Sequence, residues 1–369
     1  MSSLLALNVS LGPALDTALR RCVERREAFC VLDQRLSSRQ REAELAALGA
    51  TAIWDGRERR ALGEGRDVDE EVGLVMLTSG SSSSPKAVEL TWDALVASAT
   101  LTQRALRHGS DPVWFPCLPA NHIGGLAVVL RAILGDATLI WGRPDEVELA
   151  AQRGATHIAV VRAHLSRHDL SGYSTVLLGG ARSPSTLGEN VVTTWGMTET
   201  GSGVVYDGYP LPGVEVTSVG GELALRSPTL FRSYRTMDRP RVIGPDGRDD
   251  WFPTGDAGEV VDGRVRVRGR LGFVISTGGE KLWPEDLEAA IATLGTVRDV
   301  AVTSAEDSEW GERVIALVVG DGSPMDDAIN AVANDRIGPW AKPKEIRYVA
   351  AIPRTANGKI RRADLANLY

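Results

Sequence analysis

Short apolar runs alternate with amphipathic stretches between residues 71 and 195, and this alternation is typical of an α/β layer fold. Strands are predicted at residues 72–77, 113–115, 137–141, 157–161, 175–178 and 191–194, with helical stretches at 123–134 and 147–152 between them. Strands separated by helices in this order form mostly parallel sheets. We therefore predict a large N-terminal α/β domain whose ligands lie at the ends of its strands.

The pattern changes after residue 203. Short β segments separated by glycine and proline fill residues 203–268 and predict a small β subdomain. Beyond residue 272, helices at 285–294 and 326–334 and strands near Val300, at 314–319 and at 346–349 predict a small, mobile α+β domain. In the first 60 residues, only residues 42–48 show a helical pattern.

Composition narrows the class of protein. The chain has 369 residues, of which 43% are hydrophobic, and its formal net charge is -7. The length supports two or three domains, and the acidic balance argues against nucleic acid or an anionic membrane surface as a partner. Cys22, Cys30 and Cys117 follow no metal-ligand or disulfide spacing. The apolar run at residues 4–7 is far shorter than the roughly 20 residues of a membrane span, so we expect a cytoplasmic protein.

Residues 78–86 read Thr-Ser-Gly-Ser-Ser-Ser-Ser-Pro-Lys. Small side chains let backbone N–H groups and hydroxyls approach phosphate oxygens, and the lysine adds a positive charge. The alternative is a flexible serine linker, but a linker joins domains, whereas this run joins two predicted strands. An ordinary P-loop is excluded because Pro85 and Ala87 stand where that motif needs a glycine and a Ser or Thr. The predicted phosphate-binding residues are Thr78, Ser79, Gly80, Ser81, Ser82 and Lys86.

Five segments resemble, in order, the signature motifs of the acyl-adenylating enzymes, the superfamily of acyl-CoA synthetases, luciferase and peptide-synthetase adenylation domains. They are residues 78–86, 195–200 (Trp-Gly-Met-Thr-Glu-Thr), 254–256 (Thr-Gly-Asp), 269–288 and 353–360 (Pro-Arg-Thr-Ala-Asn-Gly-Lys-Ile). The resemblance covers residues 70–369 and implies an enzyme that uses ATP, Mg²⁺ and coenzyme A. Ser83 replaces a glycine of the first motif.

The resemblance assigns chemical roles within these segments. Lys359 would be the catalytic cation, because adenylation brings a carboxylate to the α-phosphate and the transition state needs its charge neutralised. A solvated lysine in a polar tail is the alternative. Thr198 and Glu199 would contact magnesium, and a surface glutamate is the alternative there.

A second group of residues would bind adenosine. A carboxylate after Thr-Gly can accept both ribose hydroxyls or serve only in a turn. A tryptophan can stack on adenine where glycines allow a flat ring to approach the backbone, or it can lie in the core. A guanidinium suits ribose or phosphate oxygens. The residues are Asp256 for ribose, Trp195 opposite Gly179, Gly180 and Ala181 for adenine, and Arg270 for ribose or phosphate.

The same resemblance places a hinge at residues 269–272, between an N-terminal domain of residues 1–268 and a C-terminal domain of residues 273–369. In relatives, the C-terminal domain rotates after adenylation and presents a glycine-rich face to the pantetheine thiol. Gly278 and Gly279 match that face. Gly272 stands where the hinge usually has aspartate or lysine, so we expect a softer equilibrium between two orientations.

Two features concern the acid. Residues 118–126 resemble the family's Pro-x-x-His-x-x-Gly segment at the acyl pocket, where His122 would gate the carboxylate, with a helix-capping or core histidine as the alternative. The apolar helix that follows has one charged residue, Arg131. Such an arginine either extends to water or pairs with an anion. If Arg131 faces the pocket, the substrate carries a second negative group, and a dicarboxylic acid fits.

The compact length and residues 198–211 most resemble the o-succinylbenzoate–CoA ligase branch of the superfamily, which belongs to menaquinone biosynthesis. The expected partners are small molecules: a carboxylic acid, ATP and coenzyme A. A homodimer interface formed by the first 60 residues is left open. Three alternatives remain: a CoA ligase for another aryl or fatty acid, a stand-alone adenylation domain that loads a carrier protein, and an inactive nucleotide sensor. The presence of both Lys359 and Glu199 argues against the sensor.

Overall fold

The computed structural model describes residues 1–78, 86–106, 111–135, 137–180, 187–320, 325–355 and 358–369. These residues form a mixed α/β fold, as the sequence pattern predicts, and divide into two compact units. Unit 1 comprises Met1–Val216 and Leu225–Phe252, and unit 2 comprises Thr217–Ala224 and Pro253–Tyr369. A division at a hinge of residues 269–272 stays a prediction.

The first sheet of unit 1 holds the N-terminal residues and both flanks of the predicted phosphate loop. Over the described residues its strand order is β17-β16-β6-β5-β2-β1-β3-β4, with strands numbered in chain order. The mutually parallel strands are β1 (Leu5–Leu7), β2 (Phe29–Val31), β3 (Ala52–Trp54) and β5 (Val72–Thr78). The antiparallel strands are β4 (Arg59–Ala61), β6 (Lys86–Thr91), β16 (Ser233–Tyr234) and β17 (Met237–Asp238). Helices α1 (Pro13–Arg25) and α2 (Ser38–Leu48) connect the first three strands.

The first 60 residues contain more structure than their pattern predicts. The expected helix at residues 42–48 is confirmed as part of α2, whereas α1 and the strands β1 to β4 were not predicted. Each of these strands has three residues, which is too short to show a period of two. The apolar residues 4–7 lie in the core of this sheet.

The second sheet of unit 1 is mostly parallel. Its order in the described chain is β13-β12-β11-β10-β9-β7-β8. The strands are β7 (Val113–Phe115), β8 (Thr138–Leu139), β9 (His157–Val161), β10 (Thr175–Gly179), β11 (Val191–Met197), β12 (Ser202–Tyr206) and β13 (Tyr209–Pro210), of which the last two are antiparallel. The helices are α3 (Trp92–Leu106), α4 (Ile123–Gly135), α5 (Val147–Gln152) and α6 (Arg162–Leu165). The apolar helix α4 packs against α3 and is buried along its middle.

Two further sheets complete the described chain. One has the order β14-β15-β18-β19, formed by β14 (Glu215–Val219), β15 (Glu222–Arg226), β18 (Phe252–Val261) and β19 (Arg264–Arg270). The other contains β20 (Ile275–Thr277), β21 (Glu280–Leu282), β22 (Val297–Asp307), β23 (Gly311–Gly320) and β24 (Glu345–Tyr348), with helices α7 (Pro284–Ile291) and α8 (Asp326–Arg336). The predicted β subdomain and α+β tail are therefore both present as secondary structure.

Side chains of β22 and β23 alternate between two faces, as strand geometry requires. Val302, Val314 and Ala316 pack in the cluster that contains residues of α7 and α8. Ala301, Ile315 and Leu317 pack instead with residues of the C-terminal segment, including Leu365. The segment that carries Lys359 therefore lies on the face of this sheet opposite the helices.

No helix in the described ranges is long and apolar enough to cross a membrane. Cys22, Cys30 and Cys117 are buried free thiols. Burial raises the pKa of Cys117 to about 12, so this thiol stays protonated near neutral pH.

A buried ion pair joins Arg235, the residue after β16, to Glu89 on β6. Glu89 accepts hydrogen bonds from Arg235 Nη1 at 3.0 Å and from Ser233 Oγ at 3.1 Å. The Arg235 side chain is 1% exposed and that of Glu89 is 9% exposed. Arg235 also donates to the backbone carbonyls of Gly49 and Arg66. One guanidinium therefore ties together segments that are far apart in the sequence.

Replacing Arg235 by methionine should destabilise unit 1 by up to about 3 to 5 kcal/mol, because Glu89 loses its buried partner and keeps only the more exposed Arg232, whose Nη1 lies 3.4 Å from Glu89 Oε2. Urea unfolding followed by tryptophan fluorescence measures the loss. The matched control is Arg20→Met, which removes the ion pair between Arg20 and Asp16. The Arg20 side chain is 47% exposed. The control should lose less than about 1 kcal/mol. Equal losses in both variants would contradict this account of the pair.

Candidate functional site

The two ends of the predicted phosphate loop are paired with each other. Thr78 lies opposite Lys86 where β5 and β6 end, and Thr78 Oγ1 donates to the Lys86 carbonyl at 3.3 Å. The segment therefore joins neighbouring strands of one sheet, which argues against a linker between domains. The predicted phosphate-binding residues Ser79, Gly80, Ser81 and Ser82 lie outside the described residues, and so does Ser83.

Tyr234 connects Lys86 with Glu199. Its hydroxyl donates to Glu199 Oε1 at 2.9 Å, and its ring centroid lies 5.0 Å from Lys86 Nζ. The position of Tyr234 is fixed because β16 pairs with β6, which sets Tyr234 opposite Val88. In addition, Phe231 N donates to the Glu199 carbonyl at 2.8 Å. The structure thus brings together a predicted phosphate ligand and a predicted magnesium ligand through a residue that the sequence pattern did not identify.

Glu199 lies in a short turn between β11 and β12. Thr198–Thr200 form one 3₁₀ turn, and the buried Thr200 Oγ1 shares its single proton between the carbonyls of Ser202 at 2.6 Å and Met197 at 2.9 Å and accepts from Met197 N at 2.9 Å. A bulge between Trp195 and Gly196 precedes the turn, and bulges re-aim side chains beside active sites. Thr198 and Glu199 are half-buried, so a hydroxyl and a carboxylate stand at the end of a strand.

A magnesium ion fits this donor set. Mg²⁺ is usually held by one or two carboxylates together with water and substrate phosphates. Within the described ranges, no group of three or more His, Cys, Asp or Glu side chains is placed to hold a metal by itself. A site with one carboxylate and one hydroxyl therefore suits an ion that arrives with a nucleotide.

The predicted adenine site lies at the end of neighbouring parallel strands. Gly179 ends β10, and Trp195 lies on β11, which pairs with β10 in parallel. The packing is close, since a Cβ on Gly179 would lie 3.1 Å from Thr194 Cγ2. Gly180 follows directly, and Ala181 lies outside the described residues. Adenine stacking on Trp195 stays a prediction.

Asp256 and Arg270, the predicted ribose residues in unit 2, form an ion pair. They lie opposite each other on β18 and β19, and Arg270 Nε is 2.9 Å from Asp256 Oδ1. Arg270 Nη1 also donates to the Thr254 carbonyl at 2.8 Å. Asp256 is 6% exposed. Glu222, which sequence reasoning missed, accepts from Gly255 N at 2.8 Å and holds the turn before Asp256.

Gly278 and Gly279 form the two-residue turn between β20 and β21. Both have positive φ, at +57° and +84°, which is the geometry of a tight hairpin turn that glycine permits. Gly278 N donates to the carbonyl of Trp310 at 2.9 Å. The turn therefore favours glycine at both positions, independently of the predicted coenzyme A contact. At the predicted hinge, a Cβ on Gly272 would meet nothing within 4 Å.

Lys359 lies in a short closed loop of unit 2. Arg354 and Ile360 form an isolated antiparallel bridge, and Thr355 N donates to the Lys359 carbonyl at 2.8 Å. The Lys359 side chain is exposed. An exposed lysine on a closed loop can be presented to a ligand, and its catalytic role stays a prediction.

His122 directly precedes α4, and its carbonyl accepts the helix's first hydrogen bonds, from Gly125 N and Leu126 N at 3.1 and 3.0 Å. Gly125 is required here, because a Cβ would lie 2.3 Å from the Pro119 carbonyl oxygen. In the His-x-x-Gly segment, the histidine carbonyl thus accepts the first hydrogen bonds of α4, and the glycine lets the helix pack against the backbone of Pro119. The His122 side chain is half-buried, and its gating role stays a prediction.

Arg131 is 2% exposed in the middle of α4. Its Nη2 donates to Ser202 Oγ at 2.5 Å, and its guanidinium carbon lies 5.1 Å from the centroid of the Trp114 ring. Within the described chain, Arg131 Nε and Nη1 have no hydrogen-bond partner. Burial lowers the pKa of the guanidinium, which reflects the cost of keeping the charge there. The alternative in which this side chain extends to water is therefore wrong.

Sequence reasoning missed Tyr234, Glu222 and Ser202. Each acts through a partner that is distant in sequence or part of a turn, as with Tyr234 and Glu199, 35 residues apart. Local periodicity carries no signal for such a contact. Only the strand pairing of β16 with β6 reveals it.

Known proteins resemble this chain over most of its length. The AMP-binding enzyme family profile matches residues 27–260, and the AMP-binding enzyme C-terminal domain profile matches residues 286–359. A probable 2-succinylbenzoate–CoA ligase of Mycobacterium tuberculosis (strain H37Rv) is 34% identical over 345 residues, covering 84% of this chain and 88% of the relative.

Solved structures share the fold. An o-succinylbenzoate–CoA synthetase from Bacillus subtilis, in complex with its acyl-adenylate intermediate, has a TM-score of 0.84 at 22% identity and covers 98% of this chain and 88% of its own. The same enzyme in complex with ATP and a magnesium ion has a TM-score of 0.84 at 21% identity. The match covers 99% of this chain and 89% of that enzyme's chain. At these identities, the structures establish the architecture alone.

Replacing Arg131 by methionine should leave stability unchanged or raise it by about 1 to 4 kcal/mol, because a buried charge without a full set of partners is replaced by an apolar chain. The thermal midpoint and urea unfolding measure the change. Arg235→Met is the matched comparison, since that arginine is buried but paired. A large loss of stability in Arg131→Met would show that Arg131 is held for the fold.

Proposed function

Because the chain belongs to the AMP-binding enzyme family, we propose that it is an AMP-forming acid–thiol ligase. It converts o-succinylbenzoate, ATP and coenzyme A into o-succinylbenzoyl-CoA, AMP and pyrophosphate, a reaction of menaquinone biosynthesis. The observation that carries this activity is the cluster of Lys86, Tyr234 and Glu199 beside the strand pairing of Thr78 with Lys86. A cation and a carboxylate held close together at this strand end suit a nucleoside triphosphate with its Mg²⁺.

In the first step, an oxygen of the substrate carboxylate attacks the α-phosphorus of ATP. The new C–O–P linkage forms as the bond to the β-phosphate breaks, and pyrophosphate leaves. Two anions meet in this step, so the residues must supply positive charge as the transition state forms. Lys86 serves the phosphates, and Lys359 serves the reacting α-phosphoryl group. A unit charge about 4 Å away is worth roughly 4 kcal/mol at an effective dielectric near 20.

Thr198 and Glu199 would hold Mg²⁺, which draws charge from the triphosphate and assists departure of pyrophosphate. Tyr234 keeps the Glu199 carboxylate in place by its hydrogen bond. Thr200 keeps the turn in shape because its hydroxyl donates to backbone carbonyls of the turn and accepts from Met197 N. Trp195 and Asp256 orient adenine and ribose.

In the second step, the thiolate of coenzyme A attacks the acyl carbonyl carbon of the adenylate. The thioester forms as the C–O bond to phosphate breaks, and AMP leaves. Gly278 and Gly279 would line the path of the pantetheine chain, because a turn without side chains lets a narrow group approach the backbone. Gly272 would permit the change of orientation at residues 269–272 between the two steps.

The second carboxylate of o-succinylbenzoate is proposed to pair with Arg131. A buried guanidinium whose Nε and Nη1 lack partners in the described chain is matched by a substrate anion. His122, at the start of the same helix, would gate the carboxylate that is activated. A monocarboxylic acid would leave the Arg131 charge unmatched, so a ligase for another aryl or fatty acid is the weaker alternative. A carrier protein in place of coenzyme A is the other alternative.

The enzyme is proposed to work in the cytoplasm. Three buried thiols without disulfides suit a reducing compartment. A homodimer remains a prediction about its oligomeric state.

A pyrophosphate-release assay with one added acid at a time tests the function. We expect release with o-succinylbenzoate and little with benzoate or a medium-chain acid, and thioester formation with free coenzyme A. The monomethyl ester that leaves the activated carboxyl group free and masks only the other one serves as a matched monocarboxylate. Arg131→Met should raise KM for the diacid by about 10- to 100-fold, as expected for one lost charge pair, while the ester changes little. Release that is independent of every acid, or acceptance by a carrier protein alone, would contradict the proposal.

Replacing Lys359 by alanine should slow adenylation by about 10²- to 10³-fold, the usual loss for one preorganised charge-stabilising donor. Thioester formation from a supplied acyl-adenylate should be nearly unchanged. Single-turnover measurements of each half-reaction separate the two effects. Equal damage to both would show that the lysine is assigned wrongly.

A further inference from the structure

Arg354 lies five residues before Lys359, and its guanidinium contacts both the sheet and the loop that carries the lysine. Nε and Nη2 bind the two carboxylate oxygens of Asp299 at 3.1 and 2.6 Å. Nη1 donates to the Gly358 carbonyl at 2.6 Å. We propose that Arg354 and Asp299 form a brace, that is, a positioning pair that holds Lys359 for adenylation. This inference rests on the proposed function.

The described residues of the loop are joined to Thr355 by hydrogen bonds. Gly358 N donates to the Thr355 carbonyl at 2.8 Å, and Lys359 N donates to Thr355 Oγ1 at 3.2 Å. Gly358 has a φ of +73°, so the backbone turns there, directly before the lysine. The carbonyl that Arg354 binds therefore belongs to the peptide unit that leads into Lys359. Displacement of this carbonyl moves the lysine backbone.

The other end of the brace is rigid. Asp299 lies on β22, beside an irregularity in its pairing with β23, and its Oδ1 also accepts from Val300 N at 2.9 Å. The neighbouring residues Val300, Ala301 and Val302 are buried in the sheet core. Asp299 is thus a fixed carboxylate on a packed strand. The guanidinium transmits that fixed position to the Gly358 carbonyl.

The brace is suited to positioning more than to global stability. Both side chains are 33% exposed, and exposed pairs contribute little to folding. The contact with Asp299 is nevertheless bidentate, which fixes direction as well as distance. Since small misplacement of a catalytic group lowers rates strongly, the loss should appear in the step that uses Lys359.

The experiment uses the full chain with Arg354→Met, Asp299→Asn and the double variant. Arg347→Met is the control, since Arg347 pairs with Glu345 on β24 of the same sheet and lies outside the proposed site. We expect adenylation to fall about 10- to 100-fold in both single variants, as for removal of a residue that orients a ligand. The double variant should lose no more than the worse single variant, because one contact is removed. Arg354→Lys should recover part of the rate.

Two readouts separate positioning from a purely structural role. Thioester formation from a supplied acyl-adenylate should change by less than about threefold, the scatter left by indirect effects. Hydrogen exchange of the Gly358 and Lys359 amides in the ligand-free chain should become faster, while the thermal midpoint stays that of Arg347→Met. Unchanged adenylation, equal loss in both half-reactions, or unchanged amide exchange would overturn the proposal.

The exchange measurement also keeps this inference distinct from the proposed function. If the wild-type chain activates no acid, the proposed function fails, and amide exchange alone then decides whether Arg354 braces the loop. Faster exchange in Arg354→Met and Asp299→Asn, but not in Arg347→Met, would support the brace. Identical exchange in all of them would reject it.

Discussion

The antiparallel pairing of β5 with β6, which closes at Thr78 and Lys86, is the interaction on which the proposed ATP site depends. Addition of β16 to the other side of β6 then places Tyr234 between Lys86 and Glu199. The buried Arg235–Glu89 pair secures that addition. A chain with a formal charge of -7 repels anions at long range, so a polyanionic substrate must be held by cations at defined places. The pairing of β5, β6 and β16 positions one such cation, Lys86.

Arg131 shows the conflict between folding and binding most clearly. A charge at 2% exposure with two unmatched nitrogens in the described chain is unfavourable for the fold. An apolar residue at this position would avoid the cost of burying a charge. Its presence is explained if a substrate anion completes the set of partners. The same reasoning distinguishes it from Arg235, whose burial is balanced by a carboxylate within the protein.

Much of the fold and several site residues could be predicted from the sequence, and the features that could not be predicted have identifiable physical reasons. Long or strongly patterned elements such as α4 and β9 follow from periodicity, and the resemblance of ordered motifs indicated the family that the relatives confirm. Strands of three residues such as β1 and β2 have no measurable period, so the N-terminal part of the first sheet escaped prediction. Tyr234 escaped because its role arises from strand pairing across distant segments. For Arg131, the sequence left two alternatives open, extension to water or pairing with an anion. Only the burial of the side chain in the structure excluded the first.

The most direct test is a crystal structure of the chain with a non-hydrolysable o-succinylbenzoyl-adenylate analogue. The account predicts the phosphate mimic beside Lys86, and the free carboxylate within about 2.7 to 3.2 Å of Arg131 Nε or Nη1, or joined to them by one water. A free carboxylate that faces solvent, with Arg131 in the contacts it already makes with Ser202, would contradict it.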